Sequence, residues 1–208
     1  SIPGAASPLF LSAAVGAEAA AYQIDRSLRF NDDDSAYLNK TFSSAGNRKK
    51  WTWSGWVKRS DLSSSTSDVK SIFAAYTDSS NRDVLRFTDD NGANIITFQV
   101  TTSGTSKTEY TSAVFRDVSA WMHVVLAFDS DQSTASDRVK IYVNGVSQSL
   151  SGTAVAQDTQ SSINSNVAHY LGARSSSGSA ELFYDGYLAD VHFIDGQALA
   201  ASDFGEYD

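Results

Sequence analysis

Trp121-Met-His-Val-Val-Leu-Ala-Phe-Asp-Ser-Asp-Gln-Ser-Thr-Ala-Ser-Asp-Arg-Val-Lys-Ile-Tyr-Val-Asn-Gly145 is the stretch whose reading decides the fold. Met122, Val124, Leu126 and Phe128 alternate with a second set, Trp121, His123, Val125 and Ala127, that is also largely apolar. A strand apolar on both faces is a strand covered on both sides. A polar loop follows. Val139, Ile141 and Val143 then alternate with Lys140 and Tyr142, the period-two pattern of a strand with one face buried. Asn144-Gly145 ends it as a type I′ hairpin turn, which needs positive φ at both central residues. Val124, Leu126, Val139 and Ile141 are the predicted core. The segment is the middle of an antiparallel all-β domain.

Working outward, short strands recur with turn residues between them. They are predicted at 26–30, 36–38, 51–59, 70–76, 83–88, 94–100 and 107–111, with a short piece at 114–115 leading to the central pair. Beyond it, 147–166 reads as loop, 169–173 as a strand, Ser175 to Ser179 as a flexible tract and 184–194 as the last strong strand. One helical turn is predicted near 198–204. Strands at this spacing signal a two-sheet sandwich or jelly roll, not alternating strands and helices. Trp51 and Trp53 share one face of their strand, and Trp56 lies on the other.

Length allows one larger all-β domain able to bury a full core. Cysteine is absent, so neither disulfides nor thiol chemistry are available. The net charge is −8 and the longest basic run is Arg48-Lys49-Lys50, which leaves no nucleic-acid footprint. No apolar run approaches the ~20 residues of a membrane helix, so membrane insertion is not expected. No basic start precedes the first apolar patch, as a secretory signal would require.

Residues 1–24 read differently from the rest. They hold both prolines, Pro3 and Pro8, then Leu9-Phe10-Leu11 and a tract of Ala and other small residues interrupted by Gly16. Ala favours helix, but the tract has no wide apolar stripe to dock, so an irregular arm is the expectation. Three large apolar residues need a burial site, on their own domain or on a neighbouring subunit. We assign 1–24 as an arm making an assembly contact through Leu9, Phe10 and Leu11, and 25–208 as the jelly-roll domain.

The ordered set Ser27-Leu-Arg-Phe30, Trp53-Ser-Gly-Trp-Val-Lys58, Trp121-x-His-Val124, Arg138-x-x-x-Tyr-Val-Asn-Gly145, Leu171-Gly172 and Phe183-Tyr-Asp-Gly-Tyr-Leu-Ala-Asp-Val191 resembles the laminin-G/pentraxin-like branch of the concanavalin A-like jelly rolls. The resemblance covers roughly 26–208. More narrowly, 44–59 with Gly196-Gln-Ala-Leu199 and Ser202-Asp-Phe-Gly-Glu206 is similar to laminin-G-like domains of bacteriophage virion proteins, often tail fibres or appendages. This implies a non-enzymatic virion structural protein that assembles with other virion proteins or as a homo-oligomer and recognises host-surface glycans. The alternatives are a secreted calcium-dependent lectin and a glycoside hydrolase.

Related glycosidases set catalytic carboxylates in a Glu-x-Asp-x-Glu pattern. Of the 24 acidic residues here only Glu18, Glu109, Glu181 and Glu206 are glutamates, and none is so paired. Glu181 and Asp185 on one strand would sit ~13 Å apart at the backbone, wide of the ~5.5 Å retaining and ~9.5 Å inverting separations. No enzyme is expected. His123, His169 and His192 lie on separate predicted strands, which favours packing over a metal triad.

The resemblance also implies calcium at the sandwich rim. Among several acidic clusters, Asp129 and Asp131 are the favoured Ca2+ ligands, although Asp in turns more often caps backbone groups. For glycan, Trp51 and Trp53 present two aromatics ~6.6 Å apart on one strand face. The same spacing suits a sandwich core, and both readings stay open. Tyr76, Tyr110, Tyr142 and Tyr187 are the other aromatic candidates.

Overall fold

A computed structural model describes residues 24–90 and 93–205, and these form fifteen strands and two single 3-10 turns. The expected arm contact through Leu9, Phe10 and Leu11 lies outside the described residues, as does the Asn91-Gly92 connection.

In chain order the strands are β1 (Leu28–Phe30), β2 (Leu38–Thr41), β3 (Lys50–Arg59), β4 (Lys70–Asp78), β5 (Asn81–Asp90), β6 (Ala93–Thr102), β7 (Thr105–Thr111) and β8 (Met122–Asp129). After them come β9 (Val139–Val143), β10 (Val146–Ser147), β11 (Leu150–Gly152), β12 (Ala168–Leu171), β13 (Arg174–Ser176), β14 (Ser179–Glu181) and β15 (Gly186–Asp195). Six form one sheet, in the order β1-β15-β3-β8-β9-β10. Seven form the other, β11-β7-β6-β5-β4-β12-β2. Every pairing is antiparallel. This is the two-sheet jelly-roll sandwich that the alternation predicts.

β8 is buried at all eight positions, because the opposite sheet covers one face and the C-terminal segment lies over the other. Val124, Leu126, Val139 and Ile141 are core, as expected. Asn144 and Gly145 take φ of 48° and 79°, the type I′ turn read from the sequence. Gly55 is a matter of space: a Cβ there would meet the Trp53 ring at 3.0 Å and Val191 at 3.2 Å.

The core is aromatic and joins the sheets. Trp51 stacks on Phe128 at 5.1 Å and meets Phe98 of the opposite sheet edge-on at 5.8 Å. Trp53 stacks on Phe73, also across the sandwich, at 6.1 Å.

Four expectations need correction. Residues 114–115 are not a strand; the Phe115 N–H donates to Asn94 O, holding the segment as a loop. The stretch 147–166 contains β11, which pairs with β7. Ser175 to Ser179 is the centre of the β13–β14 hairpin, turned by Ser177 and Gly178 at positive φ and tied by the Arg174–Glu181 ion pair. The helical turn near 198–204 shrinks to a 3-10 turn at Ala201–Asp203.

Candidate functional site

Trp51 and Trp53 are both 0% exposed. A sugar cannot reach either ring, so the stacking platform is withdrawn and the core reading holds. β3 places both indoles between the sheets, whereas Trp56, of opposite parity on the same strand, faces outward.

Asp129 and Asp131, the favoured calcium ligands, are each paired with a lysine. Asp129 Oδ2 lies 3.0 Å from Lys50 Nζ and accepts from Gln132 Nε2 at 2.9 Å. Asp131 pairs with a different lysine, Lys49, at 3.2 Å. A calcium ion would have to displace both ammonium groups to gather its six to eight oxygens. Among the described residues no three metal-ligating side chains converge.

Of the histidines, His169 stands apart on the other sheet, while His123 and His192 flank the same Phe204 ring. His123 lies within 2.8 Å of Ser54 Oγ beneath Phe204, and burial followed by the nearby His192 pulls its pKa down to about 4. His169 Nε2 accepts from the Asn164 N–H at 2.9 Å, so Nδ1 carries the proton and donates to Val167 O. That ring fixes a loop.

Several acidic residues are engaged within the fold. Glu109 faces the core side of β7, opposite Phe98, and Glu181 is held by Arg174. Asp185 precedes β15 and pairs with Arg29, so Glu181 and Asp185 do not share a strand. Asp83 is buried and its Oδ2 accepts from Ser161 Oγ and from the N–H groups of Ser162 and Ile163. Burial nevertheless pushes its pKa up to about 6, against those hydrogen bonds. The folded state thus holds this proton more tightly than the unfolded chain. The resulting stabilisation is complete below about pH 4 and is lost as pH rises through about 6, an effect on the order of 2–3 kcal/mol. Urea unfolding of wild type and Asp83→Asn across pH 4–7 checks this. The stability of the wild type relative to the variant should fall with rising pH; a constant difference would contradict it.

The arrangement with an unspent binding capacity is the outer face of the seven-stranded sheet. Strand register builds it in rows. Tyr110, Thr97, Arg86 and Ser71 form one; Thr108, Gln99, Val84, Ala74 and Tyr170 form the next; Ser106, Thr101, Arg82 and Tyr76 form the third. The β13–β14 hairpin covers the β4 side, with Ser177 N–H donating to the Tyr76 hydroxyl at 2.8 Å and Ser71 N–H to Leu182 O at 3.2 Å. The β5–β7 side stays accessible, with Arg82, Arg86, Gln99, Thr108 and Tyr110 half-buried.

Arg86 is the distinctive group. Its Nε donates to Thr97 Oγ1 at 3.0 Å, and no carboxylate among the described residues pairs with it. Burial first, then repulsion from Arg174 and Arg82, lowers its pKa to about 10, which still leaves it charged at neutral pH. Ser71 Oγ, on its row, and Ser175 Oγ, in the hairpin, are buried without a hydrogen-bond partner. A guanidinium with free donors, beside a second arginine and a tyrosine, is suited to a carboxylate-bearing ligand. The period-two alternation of Arg82-Asp-Val-Leu-Arg86 was the available sequence signal, since it puts both arginines on one face.

The profile of the concanavalin A-like lectin/glucanases superfamily matches residues 30–203. No curated protein sequence matches the chain. Several solved structures resemble it in fold. A heptameric pentraxin from Limulus polyphemus is 15% identical with a TM-score of 0.57, covering 78% of this chain and 70% of its own. The Ruminococcus gnavus IT-sialidase CBM40 bound to alpha2,3 sialyllactose is 16% identical with a TM-score of 0.55, over 80% of this chain and 95% of its own. Tailspike protein 2 of an Escherichia coli O157:H7 bacteriophage is 14% identical with a TM-score of 0.59, over 82% of this chain but 23% of its own. At such identities the likeness is one of fold.

Proposed function

This chain belongs to the concanavalin A-like lectin/glucanases superfamily, and from that premise we propose that it is a non-enzymatic glycan-recognition domain of a phage virion appendage, binding an acidic saccharide on the outer face of its seven-stranded sheet. The observation that carries the reading is Arg86, a charged guanidinium on an accessible sheet face with a neutral hydroxyl as its hydrogen-bond partner. In a chain of net charge −8, leaving such a group without a carboxylate costs stability and provides a place for one from outside. Tyr110 lies one strand beyond Thr97 on the same row, where its ring can meet a sugar face. The sialyllactose complex of the Ruminococcus gnavus module supports the ligand class. The likeness to a tailspike, with the resemblance of 44–59 and 196–206, supports the appendage. Against catalysis stands the absence of any carboxylate from the outward positions of β5, β6 and β7 across Arg82–Thr88, Ile95–Thr101 and Ser106–Tyr110.

The test is Arg86→Gln, titrated calorimetrically with sialyllactose and a galacturonate oligomer against lactose. Charge-assisted hydrogen bonds contribute ~1.5–3 kcal/mol, so binding of the acidic sugars should weaken by about tenfold or more. The variant should be at least as stable as wild type, since it loses an uncompensated charge. Unchanged affinity would end the proposal.

Attachment falls to residues 1–24, with Leu9, Phe10 and Leu11 as its apolar contact. Removal of residues 1–22 should leave glycan binding intact and abolish co-assembly with the particle; normal incorporation would refute the attachment role.

A further inference from the structure

On the opposite side of the sandwich a polar cavity of about 400 Å³ opens on the outer face of the six-stranded sheet. Its floor is Ala127, which β8 places between Thr52 of β3 and Lys140 of β9. Lys140 and Tyr142 bound one side, Asp129 and Gln132 close one end, and 198–200 form the far wall. We infer that this cavity is a second ligand site, for a neutral saccharide unit of one or two rings.

Both walls are held in place without a ligand. The Arg138 guanidinium donates to Gln132 O and Ser133 O, each at 2.8 Å, and to Val155 O at 2.9 Å, which fixes the loop above Asp129. Across the cavity, Thr52 Oγ1 donates to Gln197 O and accepts from the Leu199 N–H, both at 2.8 Å. One hydroxyl thereby pins the C-terminal segment to β3. A recess preformed in this way does not have to order its walls when it binds.

The lining sets the ligand class. Its carboxylates are compensated from within the protein: Asp129 lies 3.0 Å from Lys50, and Asp137 lies 3.2 Å from Lys140. No net charge remains to select an ion of either sign. Hydrogen-bonding groups line a floor and wall of small side chains, Ala127, Ala198 and Ala200, with the Tyr142 ring beside them. Multiple hydroxyls, apolar ring faces and no charge are the properties of a neutral sugar. The volume lies within the range of small-molecule pockets, about 300–1,000 Å³. This site is independent of the arginine face, which lies on the other sheet.

The experiment uses the whole chain, with backbone amide resonances followed by NMR during titration with lactose, maltose and cellobiose. At least one disaccharide should perturb the amides of Ala127, Lys140, Tyr142 and 198–200. Ala198 is exposed at the rim, so Ala198→Trp blocks the opening without entering the core. Ala198→Trp and Tyr142→Ala should each weaken binding by about tenfold. Absence of perturbation at the cavity with all three sugars would overturn the inference. So would full binding by Ala198→Trp.

Discussion

Trp51→Ala is expected to destabilise the domain by about 3–5 kcal/mol, the range for removing a fully buried large aromatic. The ring is 0% exposed, stacks on Phe128 within its own sheet and meets Phe98 of the other, so its loss leaves a cavity where the two sheets are joined. Its indole N–H has no hydrogen-bond partner, a cost that phenylalanine at the same position would not carry. Trp51→Phe should therefore recover most of the loss. Trp56→Ala, on the outward face, should cost clearly less. Urea unfolding of the three variants measures all of this, and a loss below about 1 kcal/mol for Trp51→Ala would contradict the packing of the core.

Arg59→Met should be comparably damaging, by about 3 kcal/mol or more. Arg59 is 0% exposed and its guanidinium donates to Asp61 O at 3.1 Å, Phe115 O at 2.8 Å and Asn94 Oδ1 at 2.7 Å. It also lies over the Phe87 ring at 4.4 Å. Methionine keeps much of the side-chain volume but takes a donor from three acceptors; Asn94 Oδ1 still accepts from the Ser63 N–H, and each buried carbonyl left unsatisfied costs about 1–3 kcal/mol. Burial lowers the arginine pKa to about 10, so the native group stays charged at neutral pH. Because it ties the 60–69 loop and the 115 segment to the sandwich, the variant should also be cut faster by protease between Ser60 and Asp68. A stability loss below about 1 kcal/mol together with unchanged proteolysis would show that the loops hold without it.

Both residues lie on the strand whose alternation was read from sequence, yet only part of their role was legible there. Parity along Trp51, Trp53, Val57 and Arg59 places them on one face. It does not say whether that face is core or binding surface, because a tryptophan pair at strand spacing serves either. The opposite sheet, with Phe73 and Phe98, decides it. β8 and the Asn144-Gly145 turn were fully legible, since double-sided apolarity and positive-φ residues are local signals. The serine-rich tract at 175–179 misled for the opposite reason: its composition favours loop, and the hairpin is set by a cross-strand pair, Arg174 with Glu181, seven residues apart. At Asp129 and Asp131, nothing local showed that Lys50 and Lys49 would pair with them. Arg86 escaped notice because its distinction is the lack of a charged partner, a property of the folded neighbourhood and not of the strand.

The acidic-glycan face is tested most directly by mapping sialyllactose onto the folded chain through its amide resonances. Binding as described here predicts shifts at Arg82, Arg86, Thr97, Gln99 and Tyr110 that saturate with ligand and vanish in Arg86→Gln. Shifts confined to other surfaces, or identical maps for wild type and variant, would contradict it.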